Sequence, residues 1–414
     1  MRLMHLLPRT HLRQHTDQQL RFLSMPLKRL FRTLQLATLL MSSTYGVMFT
    51  MLDDYRDKYG ISESRLGLVL AAGFFSAFLS QISIAPLADR GRAKVLMMSG
   101  FLLVIIGCLF MGFGHNFVLL LIGRLLMGIG GGMSLPALRK IVIVSDPENL
   151  GGNMGKLLSV DIAGFALGPV ISVLTVDTIG IAAPFIIISA AVLVVTIVLS
   201  RVDVPETAKI DRPSERLAFD LLKIPAVSGA VLIGLALFLM IGTFDSLWSI
   251  MMDDLKGPEW MANAGVSLFA LPMIFLGPIG GRLAQNKGAY RVGAIGGIVG
   301  ALCMTMYGFL PSPYLMMGVF FFHIVNDGFT VTSAGVAVGQ AAPPERQAGA
   351  QGLLGGLQTL TGGIAASFAG WSYDHLGRGP TFSITASVMV VLVLSGLMLA
   401  GPEHRTAPVA VPTS

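Results

Sequence analysis

Ionisable side chains lodged inside unbroken apolar runs are the residues with the most chemistry to offer in this chain. His323 and Asp327 are four residues apart in the run 313–338, so they share a helix face. At 1.5 Å per residue they lie roughly 15–21 Å along it, near the middle of a bilayer. A carboxylate beside an imidazole at that depth can collect a proton from one side and release it to the other, because imidazole changes charge near neutral pH. The same pair can also act as a static pin between helices. Asn326 sits next to it. Asp245 lies in the run 226–252 with Thr243, Ser246 and Trp248, and either faces a cavity or belongs to the membrane interface with Asp253 and Asp254. Asp161 lies in 155–176, as a second proton-handling acid or a polar residue near a helix end. Arg124 lies in 116–138, and Ser42, Ser43, Thr44 and Tyr45 in 33–52. Charge in hydrocarbon is costly, so Arg124 is expected to face a cavity or a partner.

The composition says what must position these groups. Of 414 residues, 53% are hydrophobic and 13% charged, against roughly 25% charged in an ordinary soluble domain. That excludes a disordered chain, a collagen-like fibre and a disulfide scaffold, and leaves a soluble enzyme too little charge for its surface. The long apolar runs also exclude the alternating ten-residue pattern of an outer-membrane barrel. Twelve runs reach the length of a spanning helix: 33–52, 66–87, 95–114, 116–138, 155–176, 180–200, 226–252, 262–283, 291–310, 313–338, 347–372 and 380–400. The class is therefore an all-α membrane protein. With an even number of spans both ends share one side. Of the 29 Lys and Arg, 23 fall on that side and 5 on the other, with Arg124 inside a span. Basic loops stay in the cytoplasm, so both termini and the central link are expected there, in a plasma membrane.

The organisation expected is a basic leader 1–32, a six-helix bundle 33–200, a linker 201–225, a second bundle 226–400 and a tail 401–414. The leader has no long apolar core and no small-residue cleavage site, so it is not a secretory signal. Met25 precedes Pro26-Leu27-Lys28-Arg29, a plausible start, which makes residues 1–24 a loose tail or a misplaced start. Cys108 and Cys303 sit apart in apolar runs and read as small core hydrophobes. There is no G-x-x-x-x-G-K-S/T, no H-E-x-x-H and no metal-ligand spacing, so no cofactor, no metal, no ATP hydrolysis and no enzyme are expected. The net charge of +6 reflects basic loops and not a nucleic-acid partner.

The two halves repeat at an offset near 197. Pro147, Glu148, Gly152 and Gly155 match Pro344, Glu345, Gly349 and Gly352; Asp177 and Gly180 match Asp374 and Gly377. Two six-helix units repeated in parallel are a transporter architecture whose site lies at the midplane between the halves.

On these residues the chain resembles the major facilitator superfamily over most of 30–400. The family signature G-x-L-x-D-R-x-G-R-R/K is matched after span 2 by Ala85-Pro86-Leu87-Ala88-Asp89-Arg90-Gly91-Arg92-Ala93-Lys94, with Ala for the first Gly and a turn one residue short. The resemblance implies that Asp89, Arg90 and Arg92 form a charge-assisted latch holding spans 2 and 11 together in the outward-facing state. The second copy carries Gln285 and Asn286 instead of the acid, so its latch should be weaker. Gly123-Arg124 through Gly132 resembles the family's second signature. Gly164, Gly168 and Pro169 resemble part of the antiporter signature, in which small residues let helices approach and Pro bends the span. Equal depth from the outer surface suggests that Arg124 donates to carbonyls freed near Pro169.

The resemblance further implies a central cavity lined by spans 1, 4, 7 and 10: Tyr45, Arg124, Asp245, Trp248, His323, Asn326 and Asp327. The acids outnumber Arg124, which points to proton exchange and a cationic or neutral substrate. Phe244, Trp248, Phe269, Phe320, Phe321 and Phe322 could meet an apolar ligand, though at helical spacing such residues more often pack or face lipid. The expected function is secondary transport by alternating access: proton-coupled efflux of a small, partly apolar molecule by a monomer. A proton symporter or facilitator importing a metabolite is the alternative within transport. A non-transporting sensor or scaffold on the same fold is the alternative outside it.

Overall fold

A computed structural model describes residues 26–204 and 217–402; the side chains of 49, 263–267 and 269 are not described. The leader to residue 25, the middle of the linker, the tail from 403 and the Phe269 side chain therefore lie outside the described residues.

The described chain is helical. Its helices are α1 (Leu27–Thr50), α2 (Leu52–Tyr59), α3 (Glu63–Ser83), α4 (Ala93–Phe113), α5 (Phe117–Ser145), α6 (Leu150–Ile179), α7 (Ala182–Ser200), α8 (Pro225–Asp254), α9 (Glu259–Lys287), α10 (Ala289–Phe309), α11 (Pro313–Thr330), α12 (Ser333–Ala341), α13 (Gln347–Leu376) and α14 (Arg378–Ala400). α2 is too short to cross, and α11 with α12 makes one crossing. Among the described residues this leaves twelve crossings in two bundles of six. Nine are long and apolar enough to span by composition alone. The other three, α1, α9 and α13, join the bundles through packing. Residues 27–32, read above as leader, form the first turns of α1.

The repeat is visible in the helix ends. α4 begins at Ala93 and ends at Phe113; α10 begins at Ala289 and ends at Phe309. α6 and α13 are each 30 residues long and share one offset at both ends. They end alike, at Gly180 and Gly377, with φ of 120° and 82°, a backbone region where only glycine sits without strain. The spacing predicts one helix over 313–338, but the structure interrupts it at Val331–Thr332. There Thr330 and Ser333 hydroxyls bond the carbonyls of Asn326 and Thr330, and such side-chain bonds compete with the helical ladder. The matching stretch of α5 carries Pro136 inside a continuous helix.

Lipid offers no hydrophobic drive between helices, so close packing of small residues must hold them. Gly164 lies against the Leu39 carbonyl, Gly168 against Ser43 and Val47, and Gly46 against Phe165 and Pro169. The span 5 motif thus joins α6 to α1, and α6 runs unbroken through Pro169. Outward faces carry exposed Val173, Leu174, Phe275 and Met398. Exposed Trp260, Tyr314 and Trp371 lie near helix ends at the face opposite the termini, as an aromatic belt requires.

The bundles meet in the half nearer the termini. Gly151 packs on the Gly281 carbonyl, Gly155 on Gly277 and Pro278, and Gly352 on the Gln81 carbonyl. The 3-10 turn Ala218–Lys223 of the linker docks at the same face, where Arg346 holds Asp220 through two bonds of 2.6 and 2.8 Å. The cleft between the bundles is shut on the terminal side.

A valine at position 164 has no room, whereas Gly67 faces open space. Gly164→Val should lower the melting temperature of detergent-purified protein by roughly 5 °C, the effect of overpacking by one to three kcal/mol. Gly67→Val should leave it unchanged. Fluorescence-detected size-exclusion after a heating series measures both.

Candidate functional site

Three groups of ionisable residues lie within the bundles, and the structure keeps them apart. The first lies where the bundles meet, around Asp89. Asp89 ends the 3-10 turn after α3 and is buried. Its two oxygens accept the backbone N–H groups of Ala348 and Gly349 at 2.9 and 2.8 Å, at the start of α13. Lys140 of α5, also buried, lies 3.3 Å from Oδ1 and donates to the Ala88 carbonyl at 2.9 Å. A carboxylate at a helix N-terminus with a lysine beside it satisfies orphan amides and the helix dipole together. Asp89 thereby joins the end of span 2 to the start of span 11. Lys140 lies beside the carboxylate, and Arg90 and Arg92 are exposed at the loop surface. Gly91, with φ of 71°, makes the turn.

The repeat supplies a second latch in the matching place. Gln285 accepts from the Gly151 amide at 2.7 Å and donates to the Glu148 carbonyl at 2.7 Å, at the start of α6. An uncharged amide answering one helix N–H is a weaker clasp than a carboxylate answering two beside a lysine.

The second group lies in the N-terminal bundle. Arg124 is 0% exposed. Its guanidinium carbon sits 4.7 Å from the Tyr45 ring centre and 5.4 Å from that of Phe74. Gly73 leaves the space that the side chain fills. Among the described residues none of its three nitrogens has a hydrogen-bond partner. Donation toward Pro169 is not what the structure shows: equal depth does not fix direction, and Pro169 faces Gly46 on α1. Tyr45 donates to the Met127 carbonyl at 3.2 Å and is half-buried. Ser43 and Thr44 hydroxyls return to their own helix, at Leu39 and Met41. Asp161 accepts from Ser42 and lies 3.9 Å from Arg139. Arg139 and Lys140 stand just past the apolar run 116–138, where the sequence reading places a cytoplasmic loop. They lie within α5, which runs to Ser145, and the apolar residues Ile141–Val144 beyond them were the available signal.

The third group lies in the C-terminal bundle. His323 and Asp327 are 2% and 1% exposed, with Nε2 3.6 Å from Oδ2. Tyr307 contacts His323 Nδ1 at 3.2 Å, and Met240 Sδ lies 3.0 Å from Nε2. Asn326 donates to Asp327 Oδ1 and to the Gly296 carbonyl, both at 3.2 Å, while Oδ2 has no hydrogen bond. Tyr307 and Met240 carry no charge and stand far off in sequence, so nothing in the apolar runs marks them. Trp248 is not a cleft residue. It is fully buried, donates to the Met261 carbonyl at 3.0 Å and packs with Phe244 and Phe320. Phe321 and Phe322 are exposed outward.

Asp245 differs from its neighbours. It lies eleven positions beyond Gly234, about three turns along the same stripe of α8. Gly234 is enclosed by Leu354, Gln358 and Ala334, whereas Asp245 is exposed, with Asp327 as a charged neighbour. The stripe is shut toward the termini and open beyond it. Asp245 and Asp327 thus lie in the C-terminal bundle, while Asp161 shares the N-terminal bundle with Arg124 but is held by Ser42 and Arg139.

A twelve-span, two-bundle helical protein with its cleft shut at one face, and with ionic groups inside each half, is a membrane transporter and not an enzyme. The Major Facilitator Superfamily profile matches residues 34–246 and 230–413, and the chain belongs to that family. Among curated proteins it is 30% identical to the quinolone resistance protein NorA of Staphylococcus aureus (strain MRSA252) over 129 residues. That match covers 30% of this chain and 32% of NorA, about a third of either length. The multidrug resistance protein MdtG of Serratia proteamaculans is 24% identical over 294 residues, 67% of this chain and 71% of MdtG. Among solved structures the proton:xylose symporter XylE superposes with a TM-score of 0.73 at 13% identity, covering 91% of this chain and 96% of that one. At that identity the likeness concerns the fold.

Lys140→Met strands the Asp89 carboxylate without its cation, a change that typically costs several kcal/mol for a buried pair. A cysteine at Ala85, whose Cβ abuts Gly352 in the sealed face, then reports opening. In a chain carrying Cys108→Ser and Cys303→Ser, maleimide labelling of Ala85→Cys should accelerate roughly tenfold or more with Lys140→Met. An unchanged rate would remove Lys140 from the latch.

Proposed function

We propose that this protein is a proton-coupled exporter of a small, partly apolar molecule, acting by alternating access. It works as a monomer in the plasma membrane, with its termini and central linker in the cytoplasm, as the distribution of Lys and Arg favours. The bundles divide at the linker 201–225. The observation that carries the reading is the His323–Asp327 pair, sealed inside the C-terminal bundle with one carboxylate oxygen left without a hydrogen bond. An acceptor kept in that state, with the His323 imidazole 3.6 Å away, is placed to take up and pass on a proton.

The roles follow from the placement. Asp245, open to the cleft, is the port through which a proton reaches Asp327. Asn326 and Tyr307 orient the pair. Arg124 and Tyr45 belong to the substrate side, in the N-terminal bundle. Asp161, held by Ser42 and Arg139, lies near the floor of the cleft and couples proton entry to its closure. Asp89 with Lys140 holds the cytoplasmic face shut, and Arg90 and Arg92 meet the cytoplasm beside it. Gly164, Gly168 and Pro169 keep α6 seated on α1 as the halves rock. The resistance functions in the names of NorA and MdtG favour efflux. A symporter such as XylE, on the same fold, marks the competing direction.

Everted vesicles separate the two. A fluorescent quinolone added to vesicles holding an acid interior should dissipate the pH gradient if export is antiport, and should not if the chain imports. Asp327→Asn should cut proton-driven uptake into these vesicles by roughly a hundredfold at normal expression. Retained transport would take Asp327 out of the mechanism.

A further inference from the structure

We infer that Arg124, with Tyr45 and Phe74, is a receptor for the carboxylate of an aromatic or otherwise apolar small acid. The inference rests on reading the cleft as a transport path, and it names the substrate class for that path's N-terminal side. A guanidinium carries five N–H donors in one plane. Here it is 0% exposed, and none of its three nitrogens has an acceptor. An uncompensated buried cation is among the most destabilising arrangements a fold can hold. The two rings at 4.7 and 5.4 Å offset part of that, but a ring face attracts the charge without replacing the acceptors. Of the acids in the same half, Asp161 is taken up by Ser42 and Arg139, and the buried Asp89 by Lys140 and two helix amides. The acids of the C-terminal bundle are held in their own cluster. The missing partner is therefore an anion from outside the chain.

Its shape follows from its surroundings. A planar fork of donors matches a carboxylate through two parallel bonds. Tyr45 and Phe74 wall the fork with apolar surface, which suits an organic acid and not a small hydrated ion. Glycine at 73 and 131 leaves room for the guanidinium and for the Tyr45 hydroxyl. Access is built in as well. Phe74 is exposed and Tyr45 half-buried, and Tyr45 is tethered across to α5 by one bond of 3.2 Å.

Full-length protein in nanodiscs, with no pH gradient, tests this separately from proton coupling. The probes share one aromatic body: 1-naphthoate, 1-naphthylmethanol and 1-naphthylmethylammonium. Naphthoate should raise the melting temperature, and the alcohol and the ammonium should not. Arg124→Gln should weaken naphthoate by roughly tenfold to a hundredfold, and Arg124→Lys should keep part of the response. Because Arg124→Gln removes an unpaired buried charge, it should melt no lower than the parent chain. If it fails to fold, Gly73→Ala, which pushes the guanidinium aside, should lose the naphthoate response in its place. An equal response to the alcohol, a preference for the ammonium, an undiminished naphthoate response in both variants, or the same shift from sodium chloride alone would each overturn the proposal. Naphthoate binding without proton flux would instead leave the receptor standing and remove the coupling.

Discussion

Hydrocarbon does not solvate charge, and every polar feature of this molecule is arranged around that constraint. The clearest case is Asp89. It is buried where two bundles meet, and it is satisfied only because Lys140 comes from α5 and two amides come from the start of α13. Those three elements converge at the face nearer the termini, which is closed in this structure. A single carboxylate thereby ties local satisfaction to the global state. Moving the bundles apart there would leave an acid, a lysine and a helix N-terminus in need of new partners at once, and the water entering the open cleft could supply them.

The repeat gives that constraint a counterpart of different strength. Gln285 meets the start of α6 as Asp89 meets the start of α13, at matching positions of the two halves. Replacing carboxylate by carboxamide keeps the shape and removes the charge. The two latches are thus geometrically equivalent and energetically unequal. A rocking motion between look-alike bundles need not be symmetric, and here the stronger clasp lies between spans 2 and 11.

Each bundle encloses its own buried ionic cluster. The N-terminal half encloses a cation, Arg124, between aromatic rings. The C-terminal half encloses an acid and an imidazole, His323 and Asp327, beneath a cluster of Phe244, Trp248, Tyr307 and Phe320. Neither is neutralised by the other. Among the described residues, each half keeps buried polar atoms without a hydrogen-bond partner, on Arg124 in one and on Asp327 in the other.

Much of this was legible in the residues. Apolar run length determined the number of crossings, because a bilayer has one thickness. The offset between Pro147 and Pro344, or Gly180 and Gly377, determined the two-bundle plan. The scarcity of charge in the spans singled out Arg124, Asp245, His323 and Asp327. The spacing of His323 and Asp327 placed them together, since four residues are about one helical turn. What the sequence could not decide is which neighbour each group meets. Helical periodicity gives depth along a span and position around it, but the rotation of one span against the next depends on where small residues let backbones touch. Gly164 against Leu39 turns α6 so that Pro169 faces α1, and Gly73 opens a place for Arg124 on α3. Those contacts join residues far apart in the chain. For that reason only the tertiary structure gave Lys140 to Asp89, Met240 and Tyr307 to His323, the aromatic core to Trp248, and no acceptor at all to Arg124.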